Sequence, residues 1–179
     1  MSKSSKGGEF ERYVCKFLTT YMGGDPKKPY LWRTPGSGSR CTIHGDENMS
    51  GDIIAIREEG KAICSYLSVE CKTGYDDMSL DKFLKENKSD PLKAFWDQCI
   101  RDSTESGKMP MVIYRKKGLP SPWVCIDDKL FKKLKTNTLG MRYIFLNWNN
   151  ELPDMYIFEM NTFFEVITFD IMKKALKCK

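Results

Sequence analysis

Apolar residues near the start of the chain recur at helical spacing. Phe10, Val14, Phe17, Leu18 and Tyr21 follow an i, i+4, i+7, i+8, i+11 pattern, which predicts an amphipathic helix over residues 8–22. Gly23-Gly24-Asp25-Pro26 stops it. A short strand is expected at 30–33, followed by Thr34-Pro-Gly-Ser-Gly-Ser-Arg40, a run too rich in Gly and Ser for a regular element. Residues 52–57 and 62–72 read as two strands joined by the turn Glu58-Glu59-Gly60 into a hairpin. Helix signals resume over 79–86 and more firmly over 91–106, where Leu92, Phe95, Trp96, Cys99 and Ile100 keep helical period. Strands are then expected at 109–115 and 123–126, a basic helix at 127–135, strands at 143–148, 155–160 and 163–167, and a closing helix to Lys177. The order α-β-β-β-α-β-β-α-β-β-β-α predicts a mixed α/β domain with one sheet covered by helices. No internal repeat or long linker interrupts it, and 179 residues suit a single domain over 1–179.

Composition narrows the functional classes. Hydrophobic residues make up 41% and aromatics 12%, which points to a packed core rather than a disordered chain. No apolar run approaches the roughly 18 residues of a membrane-spanning helix. Met1-Ser-Lys-Ser-Ser-Lys-Gly-Gly has no apolar core, so no secretory signal is expected. The seven cysteines (15, 41, 64, 71, 99, 125 and 178) form no C-x-x-C pair and read as reduced thiols of a cytoplasmic protein, not a disulfide frame or zinc site. His44 is the single histidine, so chemistries that need two are excluded by count. Hydrolysis would have to run on carboxylates, lysine and a metal. The net charge of +5 is uneven: residues 1–45 hold eight basic and three acidic side chains, and the remainder is neutral. A basic arm and loop beside a neutral body fits a polyanionic partner, with ordinary solubility charge as the alternative.

Strand alternation then selects the chemistry. In Leu67-Ser-Val-Glu-Cys-Lys72, Glu70 and Lys72 share one face, and Leu67, Val69 and Cys71 share the other. Asp52, across the expected turn, can converge with Glu70 on one cation. Mg²⁺ is usually held by one or two carboxylates plus water and substrate oxygens. Lys72 can then position the attacking water and stabilise transition-state charge. A solvated strand face carrying a Glu–Lys pair is the alternative. Glu11 adds to the functional side of the balance. On the first helix it falls on the rim of the apolar arc, where a carboxylate either meets a cation or bears a desolvation cost, whereas Glu9 and Arg12 face away.

Four segments in order carry a family resemblance. Lys6-Gly7-Gly8-Glu9-Phe10-Glu11-Arg12, Arg33-Thr-Pro-Gly-Ser-Gly-Ser39, Gly51-Asp52-Ile-Ile54 and Val69-Glu70-Cys71-Lys72 resemble the PD-(D/E)XK nuclease superfamily. They are most similar to archaeal-type Holliday junction resolvases and their viral relatives. The resemblance covers residues 5–116, through Met109-Pro-Met-Val-Ile-Tyr-Arg115, and leaves 117–179 as a C-terminal elaboration without an assigned role. It implies a single restriction-endonuclease-like α/β domain with a mixed central sheet flanked by helices. It also implies that Asp52 and Glu70 bind metal together with the Cys71 carbonyl. Glu11 would complete that set by ordering metal-bound water, and Lys72 would be the catalytic lysine. The metal would be Mg²⁺, with Mn²⁺ able to substitute. Arg12 matches a phosphate contact, Ser37 and Ser39 match a serine-bearing loop near the scissile strand, and Lys6, Arg33 and Arg40 join them as nucleic-acid-binding candidates. Gly51 stands where the motif's name has proline.

The expected activity is therefore a Mg²⁺-dependent DNA endonuclease that hydrolyses phosphodiester bonds without a covalent enzyme intermediate. Its substrate would be branched DNA, and symmetric cutting would require a homodimer. No membrane and no organic cofactor are expected, and the protein would be intracellular, virus-encoded and active in the host cell. The alternatives are a restriction-like or single-strand DNA nuclease, a nucleic-acid-binding module without turnover on the same fold, and a protein-interaction domain whose basic arm meets an acidic partner. Among lesser candidates, Gln98 lies roughly 130° from the centre of its helix's apolar arc and reads as a surface residue. The basic helix at 127–135 can track a phosphate backbone or simply be solvated. Trp32 and Trp148 read as core or rim packing, and His44 as a loop residue without a role.

Overall fold

The computed structural model describes residues 6–35, 50–74, 91–118, 120–149 and 151–177. The expected helix at 79–86, the loop residues Ser37, Ser39 and Arg40, and His44 lie outside the described residues. The first helix, α1 (Lys6–Tyr21), is followed by β1 (Leu31–Arg33) and β2 (Ile53–Ala55), which pair antiparallel as a separate two-stranded sheet. A short 3₁₀ turn (Glu58–Gly60) and the one-turn helix α2 (Lys61–Cys64) lead into β3 (Leu67–Thr73). Then come α3 (Pro91–Glu105), β4 (Met109–Arg115), β5 (Trp123–Asp127), α4 (Asp128–Leu134), β6 (Ile144–Leu146), β7 (Met155–Glu159), α5 (Met160–Val166) and α6 (Phe169–Lys177). The main sheet has the order β3-β4-β5-β7-β6. Its β3–β4 pair is parallel and its other pairs are antiparallel. Helices cover both faces, as expected for a mixed α/β domain with its sheet flanked by helices.

Two expectations fail for identifiable reasons. Residues 62–66 do not belong to a strand, and β2 and β3 do not form a hairpin. Ile63 and Cys64 are neighbours in sequence and both buried. A helical turn can direct consecutive residues into one core, whereas a strand would send them to opposite faces. With that turn as the connection, the chain returns in the parallel sense: one isolated parallel bridge joins Gly51 to Val69, a geometry no tight hairpin produces. The expected single sheet is therefore two, fastened by this bridge. The other failure is 163–167, where Phe163–Val166 are the last residues of α5 and Ile167 is its C-cap. Its aromatic and β-branched residues suggest a strand, but Met160, Phe163, Phe164 and Ile167 are all buried at i, i+3, i+4, i+7 spacing. Glu159 caps the helix by accepting from the backbone N–H groups of Asn161 and Thr162.

The two sheet faces carry two cores. One joins Phe10, Val14 and Leu18 of α1 to Leu67, Val69 and Cys71 of β3, and also to Met160, Phe163, Phe164 and Met172 of the C-terminal helices. The other places Leu92, Phe95, Trp96 and Cys99 of α3 on Val112 and Tyr114 of β4. Both β3 faces are therefore assigned as the alternation predicts. The described cysteines (15, 64, 71, 99 and 125) are free and buried, as read from the sequence. No helix among the described residues is long and apolar enough to cross a membrane.

The C-terminal helices hold α1 directly. Tyr21 Oη donates to the Ile167 carbonyl at 2.6 Å, and its ring meets those of Phe164 and Phe169 edge-on at 4.7 and 5.8 Å. Tyr21→Phe removes one hydrogen bond and is expected to cost about 1 kcal/mol. Phe163→Ala opens a cavity in the shared core and is expected to cost about 3–5 kcal/mol. Urea unfolding of the two variants beside the parent checks both values.

Candidate active site

The site forms at the outer edge and C-terminal half of β3, where the Gly51–Asp52 segment bridges to it. The backbone N–H of Asp52 donates to the Val69 carbonyl at 2.8 Å, and the Cys71 N–H donates to Asp52 Oδ2 at 2.9 Å. Asp52 is thus held by its main chain and its side chain on the same strand edge. N–H and C=O of one strand residue point to the same side, so the Cys71 carbonyl faces this edge as well. Thr34, wholly buried at the end of β1, supports Asp52 from behind. Its N–H donates to the Asp52 carbonyl at 2.9 Å and its hydroxyl to the Gly51 carbonyl at 2.8 Å.

Gly51 makes this approach possible. Its φ is +80°, and an added Cβ would stand 2.7 Å from the Val69 oxygen and 2.9 Å from the Val69 nitrogen. Proline cannot adopt this φ, so the departure from the motif's named residue has a backbone cause.

On the opposite face from the α1 core, Glu70 is 2% exposed and lies 2.5 Å from Lys72 Nζ. Lys72 Nζ also donates to Gln98 Oε1 of α3 at 3.1 Å and stands 5.4 Å from the Phe95 ring centre. Gln98 is therefore a half-buried site residue and not a surface one. The helical wheel missed it because α3's polar flank lies against a polar strand face. The readable signal was Gln98 and Asp102 at i, i+4 on the helix that follows the Glu-x-Lys strand. Asp102 lies level with the start of β3: Ser50 Oγ reaches both Ser68 Oγ (2.6 Å) and the Asp102 carbonyl (3.2 Å).

Glu11 is buried at the edge of α1's apolar stripe, where its position on the helix predicted it. Arg33 Nε is ion-paired with Glu11 Oε2 at 3.0 Å, and among the described residues that buried oxygen accepts no hydrogen bond. Arg33, expected among nucleic-acid contacts, is thus engaged at the carboxylate cluster. Arg12 is half-buried and near enough to hold Glu11's carboxyl down in part, while Lys6 and Glu9 are exposed. Trp32 sits on the rim, 37% exposed, and Trp148 packs at the margin of the α3 core.

Burial and like charge set the electrostatics. Burial first, and then the Asp52 carboxylate, push Glu70 up to about 7 against the pull of Lys72. Burial also raises Asp52, opposed chiefly by the Cys71 N–H. Glu11 is raised by burial and then by Asp52. Asp52 thus bears on two other buried carboxyls, Glu70 and Glu11, with Lys72 and Arg33 alongside. Among the described residues, no group of three or more His, Cys, Asp or Glu side chains is placed to enclose an ion. Two carboxylates at one strand edge, a carbonyl beside them and a buried Glu11 oxygen that accepts no hydrogen bond among the described residues are the oxygen donors a hard divalent cation takes.

The sheet, its flanking helices and this edge define a PD-(D/E)XK nuclease-like domain. Residues 2–174 match the family described as "Phage putative PDDEXK endonuclease", and the chain belongs to that family. No curated protein and no solved structure matches the chain. Membership supports a nuclease, and with it a nucleic-acid substrate and the divalent-metal use typical of the superfamily.

Two expectations follow from the geometry. Gly51→Ala strains a left-handed position and drives Cβ into the β3 backbone, so it is expected to cost at least about 2 kcal/mol and to loosen Asp52. Thermal unfolding checks the first effect and divalent-ion titration by calorimetry the second. The raised carboxyls also give a pH dependence. Carboxyls whose folded values lie above their unfolded ones add stability that is full below about pH 4 and lost as pH rises through the folded value, here about 7 for Glu70. In chelator, the melting temperature is therefore expected to fall between pH 5 and 8, by the equivalent of about 1–3 kcal/mol. Glu70→Gln is expected to flatten that fall, as scanning calorimetry across this range will read.

Proposed function

We propose that the chain is a Mg²⁺-dependent DNA endonuclease that cuts branched DNA as a homodimer, with Mn²⁺ able to substitute. The observation that carries this reading is the convergence of Asp52 and Glu70 on one strand edge with Lys72 held between Glu70 and Gln98. The resolvase-like order of the four sequence segments supports a branched substrate. The phage family supports action inside a host cell. The core shared by α1, β3 and the C-terminal helices supports one folding unit over 1–179 in which residues 117–179 complete the packing.

In this reading Asp52, Glu70 and the Cys71 carbonyl would hold the ion, and Glu11 would orient the attacking water. Bound there, Mg²⁺ supplies Lewis-acid polarisation of the phosphodiester and a more acidic water. Lys72 offers its ammonium to charge developing on the phosphate, and Gln98 Oε1 fixes where that ammonium points. Arg33 restrains Glu11 from the β1 side. Asp52, Glu70 and Glu11 would serve the ion and its water, and hydrolysis would proceed by direct attack of water, without a covalent enzyme intermediate.

Cleavage of a labelled four-way junction beside duplex, flap and single-stranded controls tests the proposal, with Mg²⁺, with EDTA and with Lys72→Ala. Paired symmetric nicks in the junction are expected, absent in EDTA and at least about 100-fold slower in the variant. Equal cutting of every substrate would overturn branched-DNA selectivity and leave the nuclease. No cutting with any divalent ion, with DNA still bound, would make the chain a binding module.

A further inference from the structure

Arg115-Lys116-Lys117 and the basic helix α4 are two basic segments that a polyanion could meet, and the sheet register separates them. Met111 of β4 pairs with Ile126 of β5, so the basic helix α4, which begins just after β5, lies beside the start of β4. Lys72 pairs with Tyr114 and Thr73 with Arg115, so Arg115, Lys116 and Lys117 leave the sheet at the end where the candidate site lies. The seven residues of β4 put about 20 Å between those ends. Adjacent strands lie about 4.8 Å apart, so Arg115's backbone is one strand spacing from the residue after Lys72.

Arg115 is also ordered. Its guanidinium carbon sits 4.6 Å from the Phe10 ring centre and 6.0 Å from that of Tyr13, and those two rings stack at 5.9 Å. Lys6, Phe10 and Tyr13 follow i, i+4, i+7 spacing on α1, and Lys16 is one turn beyond Tyr13, so the two lysines flank this aromatic step. Lys6, Lys16 and Lys117 are exposed, Tyr13 is 40% exposed, and Glu9 is the acid bordering the stripe.

We propose that Arg115, Lys116 and Lys117, continued along α1 by Lys6, Tyr13 and Lys16, form the track that carries the DNA backbone away from the cleavage site. This rests on the nuclease reading above and adds the route of the substrate. Cations in a row bind phosphates irrespective of sequence, and each contact steepens the salt dependence of binding. Tyr13 offers a sugar or base a face beside them.

The test is fluorescence anisotropy of labelled duplex and junction DNA, in EDTA and on the full chain carrying Lys72→Ala, across a salt series. Arg115→Gln and the pair Lys116→Gln/Lys117→Gln are each expected to weaken binding several-fold on every sequence. The salt slope is expected to fall by about one per charge removed. The triple Lys132→Gln/Lys133→Gln/Lys135→Gln is expected to change neither. Arg115 packs on α1, so if Arg115→Gln melts early, the 116/117 pair decides. Unchanged binding in that pair, or a loss confined to the α4 triple, would overturn the track and leave the nuclease reading intact. If the Lys72→Ala parent binds no DNA at any salt, both fall.

Discussion

The structure depends on one short attachment, the parallel bridge by which Gly51 and Asp52 lie against the edge of β3. Two backbone contacts accomplish it, Asp52 N–H to Val69 and Cys71 N–H to the Asp52 carboxylate. They set the register of the small β1–β2 sheet, which Leu31 and Ile53 also pack into the shared core, and so bring Asp52 beside Glu70. The bridge leaves no room for a side chain at residue 51, and the Thr34 bonds close it from the far side. Edge strands are normally blunted against unwanted pairing. Here the edge of β3 is occupied by the segment that brings the second carboxylate.

This arrangement explains an electrostatic conflict. Glu11, Asp52 and Glu70 are each buried, and Asp52 raises the proton affinity of both of the others. A core built for stability alone would not gather three carboxyls. Lys72 and Arg33 limit the repulsion at distances of 2.5 and 3.0 Å from Glu70 and Glu11, but Glu11 Oε2 accepts no hydrogen bond among the described residues. Functional sites commonly carry a stability deficit of this kind. A divalent cation is the species that would relieve it, since one ion offsets like charges that two side-chain cations only flank.

How much of this was legible follows from the range of each signal. The period of α1 placed Glu11 at the buried rim, and the alternation of β3 put Glu70 and Lys72 on one face, because both patterns are local and both elements are long enough to show them. The link between Asp52 and β3 was read as a hairpin, since a turn signal between two apolar runs looks the same whether the chain returns antiparallel or passes through a helical turn such as Lys61–Cys64. Gln98 was assigned to the surface because a helical wheel measures distance from the apolar arc and carries nothing about a polar strand beneath. Phe163 to Ile167 looked extended by composition, and the cap at Glu159 together with tertiary burial decided otherwise.

The C-terminal third then gains a physical reason to be present. Helix α1 has two commitments on opposite flanks: Glu11 reaches the carboxylate cluster, while Phe17 and Tyr21 pack against Phe164. A helix of 16 residues is marginal in isolation and takes its position from what it packs on. Its axial position against β3 is fixed partly by Cys15 and Leu18 in the shared core and partly by the Tyr21–Ile167 hydrogen bond. Loosening α5 and α6 would let α1 slide or tilt, and Glu11, near its N-terminus, would move with it. The residues beyond 116 therefore act on the candidate site from a distance, by holding the helix that delivers Glu11 to it.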